Sequence, residues 1–99
     1  MMQTDVKSTH LNGSGSISAN RARLKGFSLA PAVSSAVTTT VSFRDGGATG
    51  TVLCQIDLPI NSNPNSFYVA VPGEGILFST NIYFTLDAGT LGGCTAFYG

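Results

Sequence analysis

From residue 21 onward the chain alternates apolar and polar residues with a period of two, the signature of strands that bury one face. Arg21-Ala22-Arg23-Leu24-Lys25 sets three cations on one side and Ala22 and Leu24 on the other. Gly26 interrupts this alternation before Phe27 and Leu29. A glycine inside a strand marks a bulge, which moves the inward face by one residue. Pro31 ends that strand or sits at a sheet edge. Val37, Thr39, Val41 and Phe43 then form one face, with Thr38, Thr40, Ser42 and Arg44 on the other. Asp45-Gly46-Gly47 predicts a tight hairpin, because glycine accepts the positive φ that such turns demand. Residues 51–58 answer as the partner strand, with Val52, Cys54, Ile56 and Leu58 inward. Pro59 and Asn61-Ser62-Asn63-Pro64-Asn65 read as a loop.

Phe67, Val69 and Val71 supply another inward face, and Pro72-Gly73-Glu74-Gly75 a turn. Residues 76–86 alternate as one long strand. Its length exceeds the usual strand, so it should bend or change partner at Thr80-Asn81. Residues 87–93 read as a glycine-rich loop and residues 94–98 as a short closing strand. No segment holds a helical period, and no internal repeat is present. About seven short strands at regular spacing predict an all-β domain, an antiparallel β-sandwich, with the jelly roll one arrangement open to it. The expected core is Leu24, Val41, Phe43, Cys54, Ile56, Val69, Val71, Phe78, Ile82 and Phe84.

Residues 1–20 look different. Val6, Leu11 and Ile17 are scattered among polar residues, and Gly13-Ser14-Gly15-Ser16 has linker composition. The expectation is a flexible N-terminal arm over residues 1–20, touching a sheet edge near residues 16–19, and a sandwich domain over residues 21–99. Removing the arm should leave the body folded.

Composition narrows the function. The chain has 99 residues, five Lys plus Arg against five Asp plus Glu, and only 10% charged residues. That is far below the roughly 25% of an ordinary soluble domain. A neutral chain lacks the basic face of an electrostatic nucleic-acid binder, so no nucleic-acid partner is expected. No apolar run reaches the roughly 18 residues of a membrane span, and no membrane partner is expected. The N-terminus shows no basic-then-apolar export pattern, which points to synthesis in the cytoplasm. Uncharged polar surface is cheaper to desolvate than charge, a pointer towards life inside an assembly.

Chemistry is sparse. His10 is the only histidine and falls in the arm, where no fixed geometry serves a general base. We expect no catalytic residues, no cofactor and no metal. Asp45 and Asp87 lie in glycine-rich loops, but neither loop offers the second acid that calcium favours. They are expected to cap their own turns. Cys54 and Cys94 permit one disulfide, but two free buried thiols fit a reducing compartment better. The candidate partner contacts are the Arg21, Arg23 and Lys25 strip, which could meet an acidic surface or phosphate, and Tyr68 and Tyr83, which could together stack on sugar. A solvated outer face is the plainer reading of the strip.

The order Arg21-Ala22-Arg23-Leu24-Lys25-Gly26, Phe43-Arg44-Asp45-Gly46-Gly47, Val71-Pro72-Gly73-Glu74-Gly75-Ile76-Leu77-Phe78 and Ala96-Phe97-Tyr98-Gly99 resembles small virion proteins of tailed phages, notably marine and cyanobacterial ones. The resemblance covers most of the chain after Asn20 and carries no catalytic motif. It implies a capsid decoration or cement protein that stabilises a phage head by non-covalent binding. The implied partners are the major capsid protein or other virion proteins, with a homo-oligomer, a trimer above all. The alternatives are a tail, adaptor or fibre-associated component, or a module that binds host glycans. The implied location is the virion.

Overall fold

The computed structural model describes residues 6–31, 38–58, 67–89 and 91–99, with the side chains of Pro31 and Phe67 left aside. Val37, Pro59 and the asparagine-rich loop expected at residues 61–65 lie outside the described residues. Nine strands are described: β1 (Lys7–Leu11), β2 (Gly15–Ser18), β3 (Ala22–Pro31), β4 (Thr39–Asp45), β5 (Thr51–Leu58), β6 (Phe67–Ala70), β7 (Ile76–Phe78), β8 (Ile82–Ala88) and β9 (Leu91–Tyr98). The protein is all-β, and its two antiparallel sheets pack as a sandwich. Sheet 1 runs β1-β9-β3-β6, with β7 also on β3, and sheet 2 runs β2-β8-β4-β5.

The pairings nest. β1 pairs with β9, β2 with β8, β3 with β6 and β7, and β4 with β5. The chain is therefore one long antiparallel ribbon folded over on itself, with successive pairs assigned to alternate sheets. β3–β9 and β4–β8 contacts stitch the pairs into sheets. With β6 and β7 taken as two pieces of one interrupted strand, this is the jelly-roll arrangement.

Most local signals act as read, but Val52, expected inward, pairs with outward-pointing Arg44 beyond a register shift and is 38% exposed. The β3–β9 register shifts between Leu24 and Gly26, and the buried positions move from Ala22 and Leu24 to Phe27 and Leu29. Gly46 and Gly47 turn the β4–β5 hairpin with φ of 109° and 96°, values that would strain any residue with a Cβ. The long alternating stretch of residues 76–86 breaks at residues 79–81. Its first piece, β7, joins sheet 1 and its second, β8, joins sheet 2. Phe27, Phe43, Phe78, Phe84, Leu24, Leu29, Ile82 and Val41 are fully buried. Phe43 is central: its ring lies 4.7 Å from Phe27 across the sandwich and 5.2 Å from Phe84 beside it. Of the expected core, Cys54, Ile56, Val69 and Val71 are only partly buried against this cluster. Cys54 and Ile56 lie on edge strand β5, which among the described residues has a strand neighbour on one side only.

Two expectations are corrected. Described residues of the expected arm are part of the body. β1 pairs with β9 over its whole length, β2 pairs with β8, and Ile17 is 3% exposed in the core. The ladder uses backbone groups, which polar residues supply as well as apolar ones. Ser14 joins in through its side chain, whose Oγ accepts the Leu86 N–H at 2.9 Å. Deleting residues 1–18 therefore removes a strand from each sheet. The closing strand is also longer than expected. β9 begins at Leu91 and lies between β1 and β3, in the middle of sheet 1.

Candidate functional site

The two sheets present different outer faces. In sheet 2, Thr40, Ser42 and Arg44 of β4 point outward between Gln55 and Asp57 of β5 and Tyr83, Thr85 and Asp87 of β8. Ser42 is nonetheless 0% exposed, because polar neighbours close over it. Its hydroxyl donates to Asp87 Oδ2 and accepts from Gln55 Nε2 at 3.0 Å. Arg44 donates from Nε to Thr85 Oγ1 at 3.2 Å and from Nη1 to the Gly50 carbonyl at 3.0 Å, and pairs with Asp87 at 3.6 Å. Thr40 donates to Asp57 at 2.9 Å. The Ser42 hydroxyl, with smaller help from Thr85 and Arg44, holds the Asp87 carboxyl below the usual carboxylate range. This face is linked within the chain, with its polar groups already engaged.

Asp45 and Asn81 extend that closure to one end. The Asp45 carboxylate accepts the N–H groups of Ser79, Thr80 and Asn81 at 3.1, 2.9 and 3.3 Å, and the Ser79 hydroxyl at 3.0 Å. Asn81 Oδ1 accepts in return from the N–H groups of Gly46 and Gly47. The Thr80 backbone bond is the main cause of the lowered Asp45 pKa. The two acids were expected to cap their own turns. Asp45 instead caps the turn across from it, and Asp87 meets β4. Among the described residues no three His, Cys, Asp or Glu side chains gather as a metal site.

Sheet 1 is open. Register places Ser28 and Tyr68 opposite each other, and Ser28 opposite Thr95. Tyr68 reaches over Gly26, where a Cβ would collide with its ring and hydroxyl. The missing side chain lets Tyr68 approach Phe97 across β3, with ring centroids 6.0 Å apart and edge to face. Val6, Lys25, Ser28, Tyr68 and Phe97 line a shallow groove there. Tyr68 is 57% exposed and Val6 54%. Apolar surface left open on such a small domain is the feature that marks interaction sites.

The candidate contacts separate accordingly. Lys25 and Tyr68 share the groove, and Arg23 lies on the same strand beside Leu77 of β7. Arg21 lies at the end of the sandwich, in a small pocket with Lys7, Asn20 and Tyr98. Tyr83 belongs to sheet 2, on the face opposite Tyr68. The two tyrosines therefore form no common sugar platform. Sequence reasoning missed Phe97 and Val6. The signal available for Phe97 was Gly26, since a glycine within a strand also marks the close approach of another group.

The described side chains with reactive chemistry, His10, Cys54 and Cys94, are each held within the fold. His10 is held on β1 rather than loose, but its ring nitrogens meet Thr95 Oγ1 at 2.9 Å and Asn12 Oδ1 at 3.1 Å. Cys54 and Cys94 are free, on β5 and β9 of opposite sheets. Burial pushes the Cys94 thiol up to about 12 and raises that of Cys54, which suppresses the reactive thiolate. No helix among the described residues is long and apolar enough to cross a membrane.

No protein-family model matches the chain, and no curated protein matches it. Among solved structures it is similar to a chain described under "Bacillus endospore appendages form a novel family of disulfide-linked pili". The two are 18% identical over 98% of this chain and 89% of that one, with a TM-score of 0.44. A likeness that weak has no bearing on function, and the jelly-roll assignment rests on the strand order alone.

Proposed function

We propose that this protein is a structural subunit of a larger particle and attaches through the outer face of sheet 1. In the form that the sequence resemblance implies, it is a decoration or cement protein of a phage head, made in the host cytoplasm and bound non-covalently to the major capsid protein or another virion protein. One observation carries the proposal. Tyr68 and Val6 stand exposed on the sheet 1 side with Phe97 half-buried beside Tyr68, while the polar groups of the sheet 2 face are engaged within the chain. The resemblance over residues 21–99, the low charge and the capsid-compatible jelly roll support it. Its work is non-catalytic on this reading, with Tyr68 and Phe97 as the anchor.

The test is co-sedimentation with particles stripped of this protein. Wild type should bind, and Tyr68→Asp should lose binding while keeping its circular dichroism spectrum. Binding to tails alone, or to host polysaccharide alone, would contradict the decoration role. Undiminished binding of Tyr68→Asp would contradict the assigned face.

A further inference from the structure

Edge strand β5 differs from the other described edges. Edges offer unpaired backbone donors and acceptors, and proteins guard them with short length, lysine, proline or bulges. Of the other edges, β1 spans five residues and starts at Lys7, β2 spans four with a register shift, β6 spans four and β7 three. β5 spans eight, Thr51–Leu58, with no Lys, Arg or Pro. Its one irregularity lies near the start, where Phe43 pairs with Cys54 but Arg44 with Val52. The stretch from Cys54 to Leu58 is regular, and no described strand pairs with its outer side. Its only charge is Asp57.

We propose that β5 pairs antiparallel with β5 of a second copy, about a twofold axis through Ile56. A strand laid against its own copy must match itself, and this register does so. Gln55 falls opposite Asp57 of the second copy, so an amide meets a carboxylate twice. Gln55 Nε2 carries two hydrogens and gives one to Ser42, leaving one to donate. On the core side Ile56 meets its own copy and Cys54 meets Leu58. This covers the half-buried Cys54 and Ile56 that the edge leaves short of neighbours. An axis through Asp57 would instead set two carboxylates against each other. A twofold contact is closed, so it stops at the dimer and joins two sheets into one. It also leaves the outer face of sheet 1 free, and so goes beyond the attachment proposed above.

Sedimentation velocity on the full chain, across micromolar to near-millimolar concentration, tests this. A reversible monomer–dimer equilibrium is expected. Gln55→Glu sets like charges opposite each other at two symmetric places, and should weaken the dimer about tenfold without altering the circular dichroism spectrum. Adding Asp57→Asn should restore wild-type association, since the asparagine still accepts from Thr40. Tyr68→Asp should leave association unchanged, whatever it does to particle binding. A wild type that stays monomeric, a Gln55→Glu dimer as tight as wild type, or a dimer lost in Tyr68→Asp would each overturn the proposal.

Discussion

The two outer faces of this sandwich are built on the same core from similar residues, yet apart from Val52 and Leu53 on edge strand β5 one is closed and the other open. On sheet 2, Ser42, Arg44, Thr85 and Asp87 engage one another, and a serine on an outward position ends up fully buried. On sheet 1, a glycine in the middle strand lets Tyr68 and Phe97 approach across it, and Tyr68 remains more than half exposed. Under the proposed function, the difference assigns stability to one face and attachment to the other. Hydrogen bonds within the chain matter most where a lost partner would leave a buried group unsatisfied. Exposed rings stabilise little in the free protein and act when a partner covers them.

The largest expected effect falls on what both faces share. Phe43→Ala should cost roughly 3–5 kcal/mol, because its ring joins Phe27 and Phe84 at the centre of the sandwich. Urea unfolding would show it, and a cost well below this range would mean that the sheets do not meet there. Next comes the closed face. Asp87→Ala removes the acceptor of the buried Ser42 hydroxyl and the partner of Arg44, and should cost about 1–3 kcal/mol. On the open face, Tyr68→Ala loses one partly exposed ring contact and should cost less, about 0.5–1 kcal/mol. Equal costs for Asp87→Ala and Tyr68→Ala would erase the contrast between the faces.

Acid provides a subtler test. The folded state lowers the pKa of both Asp45 and Asp87. The native protein then binds fewer protons than the unfolded chain as pH falls through the ordinary carboxylate value of about 4. The stability these groups add is present above that value and lost as pH drops through their lowered folded values. Asp87→Asn should flatten this part of the pH–stability curve, and Tyr68→Ala should leave its shape unchanged.

Much of the architecture was legible because it is local. The alternation of β4, the Asp45-Gly46-Gly47 hairpin, the bulge before Gly26 and the break at residues 79–81 each follow from a few neighbouring residues. β1 and β2 were not legible, because their inward positions are only Thr9, Leu11 and Ile17, and their contribution is backbone pairing. The surface was harder still. Alternation says that Tyr68 and Tyr83 each point away from the core, but not which sheet each strand joins. That depends on the nested pairing, which sets Tyr68 beside Phe97, 29 positions later in the chain, and sends Tyr83 to the other side. The closed network is non-local in the same way, since Ser42 and Asp87 are 45 residues apart.

The central claim is that sheet 1, not sheet 2, faces the particle. Hydroxyl-radical footprinting of the free and particle-bound protein reads both faces in one sample through Tyr68, Phe97 and Tyr83. Attachment should protect Tyr68 and Phe97 and leave Tyr83 as reactive as in the free protein. Protection of Tyr83 with Tyr68 and Phe97 unchanged would contradict the account.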